Sequence, residues 1–148
     1  MAKLLAIFVL CIVGAVVVRG EFDKKEALEK FKTAAEECKS EVGATDADIE
    51  EMLGKKPAST MPGKCMRACL MKKFEVMDPS GRFVPEVALK HANKMADGSA
   101  DKIKLASEII NACANIEVSS EHCQAAEDYG KCFMEQAKAH GIDENYQF

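Results

Sequence analysis

Between Asp23 and Val42 the apolar positions return at helical spacing: Ala27, Leu28, Phe31, Ala34, Ala35, Cys38 and Val42 share one arc, with nearly all the lysines and glutamates opposite. The pattern predicts an amphipathic helix. Thr45 and Asp48 form an N-terminal cap signal, and Ile49, Met52 and Leu53 predict a short second helix that Gly54 stops. Lys55 to Gly63, holding Pro57 and Pro62, reads as a loop. A third helix is expected from about Gly63 to Met77, ended by the turn cluster Asp78-Pro79-Ser80-Gly81. Pro85 suits the first position of a fourth helix that reaches Met95 and closes near Gly98. Ser99 or Asp101 caps a fifth helix to Ile116, and Ser119 or Ser120 caps a sixth to Gly141. No segment alternates with the period of two that marks a strand. The expectation is an all-α domain of six helices with short loops, no internal repeat and no low-complexity linker.

The segment before these helices has a different character. Met1 to Gly20 carries Lys3, an apolar run from Leu4 to Val18, then Arg19 and Gly20, the layout of a secretory signal peptide. Cleavage is expected after Gly20, with Ala15 as an alternative, leaving a helical domain at 21–148. No later stretch is long or apolar enough to span a bilayer, so the expected product is exported and not stably inserted in a membrane. Without Lys3 and Arg19, 18 basic residues face 24 acidic ones, a net charge of about −6. The basic residues are interleaved with acids, which disfavours nucleic acid as a partner. No Asn-x-Ser/Thr glycosylation site is present.

Cysteine changes the picture further. Of seven, Cys11 leaves with the signal segment, and the remaining six in an oxidising compartment read as three disulfides. Six cysteines allow fifteen pairings. Cys65 and Cys69 lie one turn apart on one helix, poor geometry for a mutual bridge, and Cys123 and Cys132 lie on opposite sides of another helix, beyond disulfide reach. Removing those pairs leaves ten arrangements, each tying different helices together.

The spacing Cys38-x26-Cys65-x3-Cys69-x43-Cys113-x9-Cys123-x8-Cys132 resembles the six-cysteine signature of insect odorant-binding and pheromone-binding proteins. The x3 and x8 intervals are that family's tightest, and the likeness covers essentially the whole chain after residue 20. The resemblance implies a compact six-helix, disulfide-stapled domain around an apolar cavity. It also implies bridges Cys38 to Cys69, Cys65 to Cys123 and Cys113 to Cys132, one of the ten arrangements. The implied function is transport of small hydrophobic odorants or pheromones through sensillar lymph or another extracellular fluid toward an olfactory receptor complex, by a monomer or weak homodimer.

Candidate cavity residues follow from the helix faces. On the third helix Met66, Leu70, Phe74 and Met77 form a stripe beside the cysteines; on the fifth, Ile109 and Ile110 lie on a wide apolar arc with Leu105, Ala106, Cys113 and Ile116. Phe133 on the sixth helix, near Tyr129 and Ala137, and Leu89 and Met95 on the fourth, near Val87, complete the set. Each could equally fill a solid core. Seven methionines after Met1 and no tryptophan favour an adaptable lining. Tyr146 and Phe148 put two aromatics in the last three residues, an expected lid over the cavity mouth, and His91, His122 and His140 offer groups for pH-linked release.

Catalysis finds no support in the sequence. Gly-x-Ser-x-Gly, a phosphate-binding loop, His-Glu-x-x-His and a dinucleotide fingerprint are all lacking. His122-Cys123 stands alone, and Asp78-Pro79-Ser80-Gly81 lacks the further ligands of a phospholipase calcium loop. Cysteines committed to bridges leave none for zinc or thiol chemistry, so no metal, cofactor or catalytic residue is expected. The remaining rival is a secreted toxin-like or immune interaction protein that uses the stapled scaffold as a rigid surface and has no ligand cavity.

Overall fold

The structure, a computed structural model, describes residues 23–142. The expected signal segment and the aromatic tail holding Tyr146 and Phe148 lie outside the described residues. Six helices follow one another: α1 Lys24–Val42, α2 Asp46–Leu53, α3 Met61–Lys73, α4 Pro85–Met95, α5 Ala100–Ala114 and α6 His122–Ala139. The fold is all-α, as the periodicity predicts.

Capping chemistry sets most of the boundaries. The Asp23 side chain accepts the Lys25 and Glu26 N–H groups at the start of α1, and Gly43, at φ 71°, closes that helix in the left-handed conformation. Ser99 caps α5, accepting the Lys102 N–H. The sixth helix is capped by Glu121 rather than Ser119 or Ser120: its carboxylate accepts the Cys123 and Gln124 N–H groups and is thereby held below the usual glutamate range.

The third helix differs most from expectation. It begins at Met61, because Thr60 accepts the Gly63 N–H and Pro62 fits the first turn, where its missing N–H is not needed. It ends at Lys73, with Phe74 as its C-cap and Glu75 in the left-handed region at φ 60°. Met77 therefore stands outside the helix. It pairs with Phe83 across a small hairpin closed at the predicted Asp78–Gly81 turn, where Asp78 Oδ1 accepts the Ser80 and Arg82 N–H groups. Gly81 sits at φ 84° under the His122 ring, where a β-carbon would come within 2.6 Å of a ring carbon.

Central in the packing, α3 lies against α6 and α1, with α2 docked near its start, while α4 and α5 pair and α5 joins α6. Two buried clusters result. One holds Ala35, Cys38, Met66 and Leu70, flanked by Phe31, Ile49, Met52 and Phe74. The other holds Ala68, Met77, Phe83, Ile110, Ala125, Ala126 and Tyr129, flanked by Met71, Val76, Leu89, Ile116 and Phe133. The bridges are Cys38–Cys69 (α1 to α3), Cys65–Cys123 (α3 to α6) and Cys113–Cys132 (α5 to α6), with Cα separations of 5.7, 4.3 and 5.9 Å. They staple α1, α3, α6 and α5 in series, leaving α2 and α4 to be held by packing and hydrogen bonds.

Candidate ligand-binding site

Among the described residues, a recess of about 360 Å³, broadly open to solvent, is lined by residues of both clusters. From the first cluster come Phe31, Met52, Leu70 and Phe74; from the second come Met71, Val76 and Ala126; Gly130 and Met134 continue the wall along α6. The Phe31 and Phe74 rings stack with centroids 6.2 Å apart and planes 18° from parallel. Ala126, Gly130 and Met134 repeat every four residues on one face of α6, and the two small residues leave the space that α3 does not fill.

Lys55, Lys56 and Arg67 supply the charged edge. Arg67 and Glu127 form an ion pair at 3.1 Å with side chains only 11% and 10% exposed. The other Glu127 oxygen accepts the Ala58 N–H at 2.9 Å, and Arg67 donates a second bond to the Lys56 carbonyl. The pair thus pins the 55–60 loop against α3 and α6. The buried Nε of Arg67 has no partner among the described residues.

A second polar knot anchors α2. Buried Asp48 accepts the Thr60 hydroxyl, the Thr45 N–H at 2.8 Å and the Thr45 hydroxyl at 3.1 Å, and these donors, Thr60 first, hold its carboxyl below the usual aspartate range against the opposing effect of burial. Gly63 makes the approach feasible, since a β-carbon there would sit 2.8 Å from Asp48 Oδ1.

The candidate cavity residues separate on this framework. Leu70 and Phe74 line the recess. Met66 is fully buried behind it in the first cluster. Met77 and Ile110 belong to the second cluster, with Leu89 and Phe133 packed against it, and Ile109 is buried on α5. Met95 is 47% exposed at the end of α4. Tyr146 and Phe148 lie outside the described residues. Phe83, which sequence reasoning missed, packs on Tyr129 and Phe133 with centroids 5.5 and 5.2 Å away, and its N–H donates to the Tyr129 hydroxyl. Also missed were the walls at Met52, Met71, Val76, Ala126, Gly130 and Met134; the four-residue spacing on α6 was the available signal. Of the histidines, His91 Nε2 lies 3.1 Å from the Phe74 carbonyl, directly behind the recess, while His122 contacts Lys72 and His140 lies 3.8 Å from Glu108.

A sequence profile of the PBP/GOBP family matches residues 21–136. The chain belongs to this family of odorant-binding proteins. General odorant-binding protein 28a of Drosophila melanogaster is 48% identical over 131 residues, 88% of this chain and 91% of the relative. General odorant-binding protein 19d of the same fly is 39% identical over 109 residues, 74% of this chain and 73% of that protein. The solved structure of the fly odorant-binding protein 28a superposes with a TM-score of 0.74, covering 82% of this chain and all of the other. A pheromone-binding protein of the cockroach Leucophaea maderae, solved in complex with 1-anilinonaphthalene-8-sulfonic acid, shares the fold at a TM-score of 0.62 and 20% identity, covering 72% of this chain and 92% of its own. PBP/GOBP proteins are binding proteins and not enzymes, and the three-bridge, six-helix architecture of this member is theirs. Among the described residues, no helix is long and apolar enough to cross a membrane.

Proposed function

We propose that the protein is an extracellular carrier of small hydrophobic molecules, odorants or pheromones, which it holds in the recess between its two cores and conveys through aqueous fluid toward membrane receptors. The observation that carries this reading is the recess itself. At about 360 Å³ it falls within the usual range for small-molecule sites, and apart from three cationic residues its walls are Phe, Met, Leu, Val, Ala and Gly. Filling it with an apolar ligand removes hydrocarbon surface from water on both partners, at roughly 25 cal/mol per Å². Three methionines, Met52, Met71 and Met134, let the wall adapt to ligands of different shape. Family membership supports the reading, as does a cysteine framework suited to an oxidising compartment after removal of Met1 to Gly20.

Gly130 provides the test. It lines the recess, and a β-carbon built on it meets nothing within 4 Å. Gly130→Leu should therefore fold at least as well as the parent, because leucine favours a helix over glycine by most of 1 kcal/mol, while its side chain occupies the ligand space. A neutral fluorescent probe such as N-phenyl-naphthylamine should bind the delipidated parent about one to one and bind G130L at least tenfold more weakly. Equal binding by a folded G130L variant would remove the recess from the carrier function.

A further inference from the structure

The fourth helix is the least secured of the six. No disulfide ends on it, none of its residues is fully buried, and its apolar side, Ala88, Leu89 and Ala92, packs against α5 and the second core while staying partly exposed. A helix of eleven residues is marginal in water without tertiary support. Among the described residues, one hydrogen bond joins a residue of α4 to another element: His91 Nε2 lies 3.1 Å from the Phe74 carbonyl oxygen.

The residue that accepts this bond is also a wall of the recess. Phe74 is the C-cap of α3, and the chain leaves helical geometry directly after it, at Glu75 with φ 60°. Its carbonyl is one of the orphan acceptors of a helix end, and among the described residues no backbone N–H reaches it, so His91 supplies its partner. Because a carbonyl only accepts, His91 Nε2 carries the proton. The imidazole also stands edge-on to the Phe74 ring, at 88° with centroids 6.2 Å apart, while Phe31 stacks on that ring. Phe74 thus meets the ligand space, α1 and α4 at once.

We propose that His91 is a positioning residue that couples the recess to α4: one placement of Phe74 serves both the ligand and the His91 bond, so filling the recess fastens α4; this rests on the carrier reading above. An apolar ligand adds contacts to the recess side of the Phe74 ring and narrows Phe74 to the position in which its carbonyl meets His91. The coupling is reciprocal. The factor by which a ligand disfavours undocking of α4 is the factor by which undocking weakens the ligand. The second helix differs, because it lines the recess directly through Met52 and its response does not pass through His91.

The experiment follows amide hydrogen exchange, with and without saturating N-phenyl-naphthylamine, in the delipidated parent, His91→Ala and His91→Gln, whose amide can donate to the same carbonyl. In the parent the probe should slow exchange in α4 by about five- to tenfold, the low end of ordinary couplings between sites. H91Q should keep most of this response, whereas H91A should retain a slowing of about twofold or less, with α2 slowed alike in all three. The α2 amides report that the probe occupies the recess in each protein, so a merely structural role for His91 would not separate α4 from α2. In the parent alone, the probe should also slow exchange of the His91 Nε2 proton with water, a measurement that stands even where H91A fails to fold. A probe that slows α2 but leaves α4 or the Nε2 proton of the parent unchanged overturns the coupling and leaves the carrier reading standing, as does undiminished slowing of α4 in H91A. No binding of the probe to the parent overturns both.

Discussion

The two cores on either side of α3 are built differently. The α1–α2 side buries little large hydrocarbon besides Met66 and Leu70, and it is tied to α3 by the Cys38–Cys69 bridge and the Asp48 knot. The α4–α5–α6 side packs Met77, Phe83, Ile110 and Tyr129 into an aromatic-rich core, adds the Cys113–Cys132 bridge, and holds α4 with no bridge of its own. The recess opens on the seam between them. Covalent staples and buried polar contacts can hold a wall whose hydrocarbon packing is incomplete; on the side with the thinner core one bridge and the buried Asp48 knot do so. A fully packed interior on both sides would leave no room for a ligand.

Breaking the contact that spans the seam should have the largest effect. Glu127→Ala strips Arg67 of its counter-charge and the Ala58 N–H of its acceptor, which should cost about 3 to 5 kcal/mol in denaturant unfolding, most of it from the uncompensated buried charge. Both cores should weaken together. Replacing Cys38 and Cys69 by alanine, which opens a loop of sequence separation 31, should cost about 2 to 5 kcal/mol and act on one side. Hydrogen exchange should then show α1 losing protection while α5 and α6 keep theirs, and probe binding should fall as Phe31 is released. Equal loss in all helices would erase the distinction between the two sides.

The smallest effect is confined to α2 and is read by pH. Since hydrogen bonds hold the Asp48 carboxyl below its usual range, its contribution is complete above the unfolded value, about 3.9, and is lost as pH falls through the lower folded value. Acid should therefore undock α2 before the stapled helices unfold, and Asp48→Asn should weaken α2 docking at neutral pH and flatten its dependence on acid. An unchanged acid profile in D48N would remove the Asp48 knot from the account.

The helices were legible because amphipathic spacing and capping residues are local properties. The exception is instructive: Met66, Leu70, Phe74 and Met77 keep helical spacing, yet the helix stops at Lys73 because Glu75 turns left-handed and the following hairpin delivers Met77 into the second core. Spacing fixes which side chains are apolar, not whether a helix or a turn presents them. The disulfide partners could be narrowed but not chosen by geometry along the chain; the family resemblance implied the pairing that the structure contains. The recess was less legible, since a gap depends on where two separately packed faces miss one another. The spacing of Ala126 and Gly130 was an unread signal for one of its walls, whereas Arg67 and Glu127, sixty positions apart, become partners only when α3 meets α6.

The central claim is that a ligand sits on the seam and touches both cores at once. Methionine methyl groups report this directly, because Met52 lines the recess from the first side and Met71 and Met134 line it from the others. With methyl-labelled protein and one equivalent of a neutral apolar probe, nuclear Overhauser contacts should connect the bound probe to Met52 and to Met71 or Met134, and not to Met95 on the exposed end of α4. Contacts confined to one core, or to Met95, would contradict it.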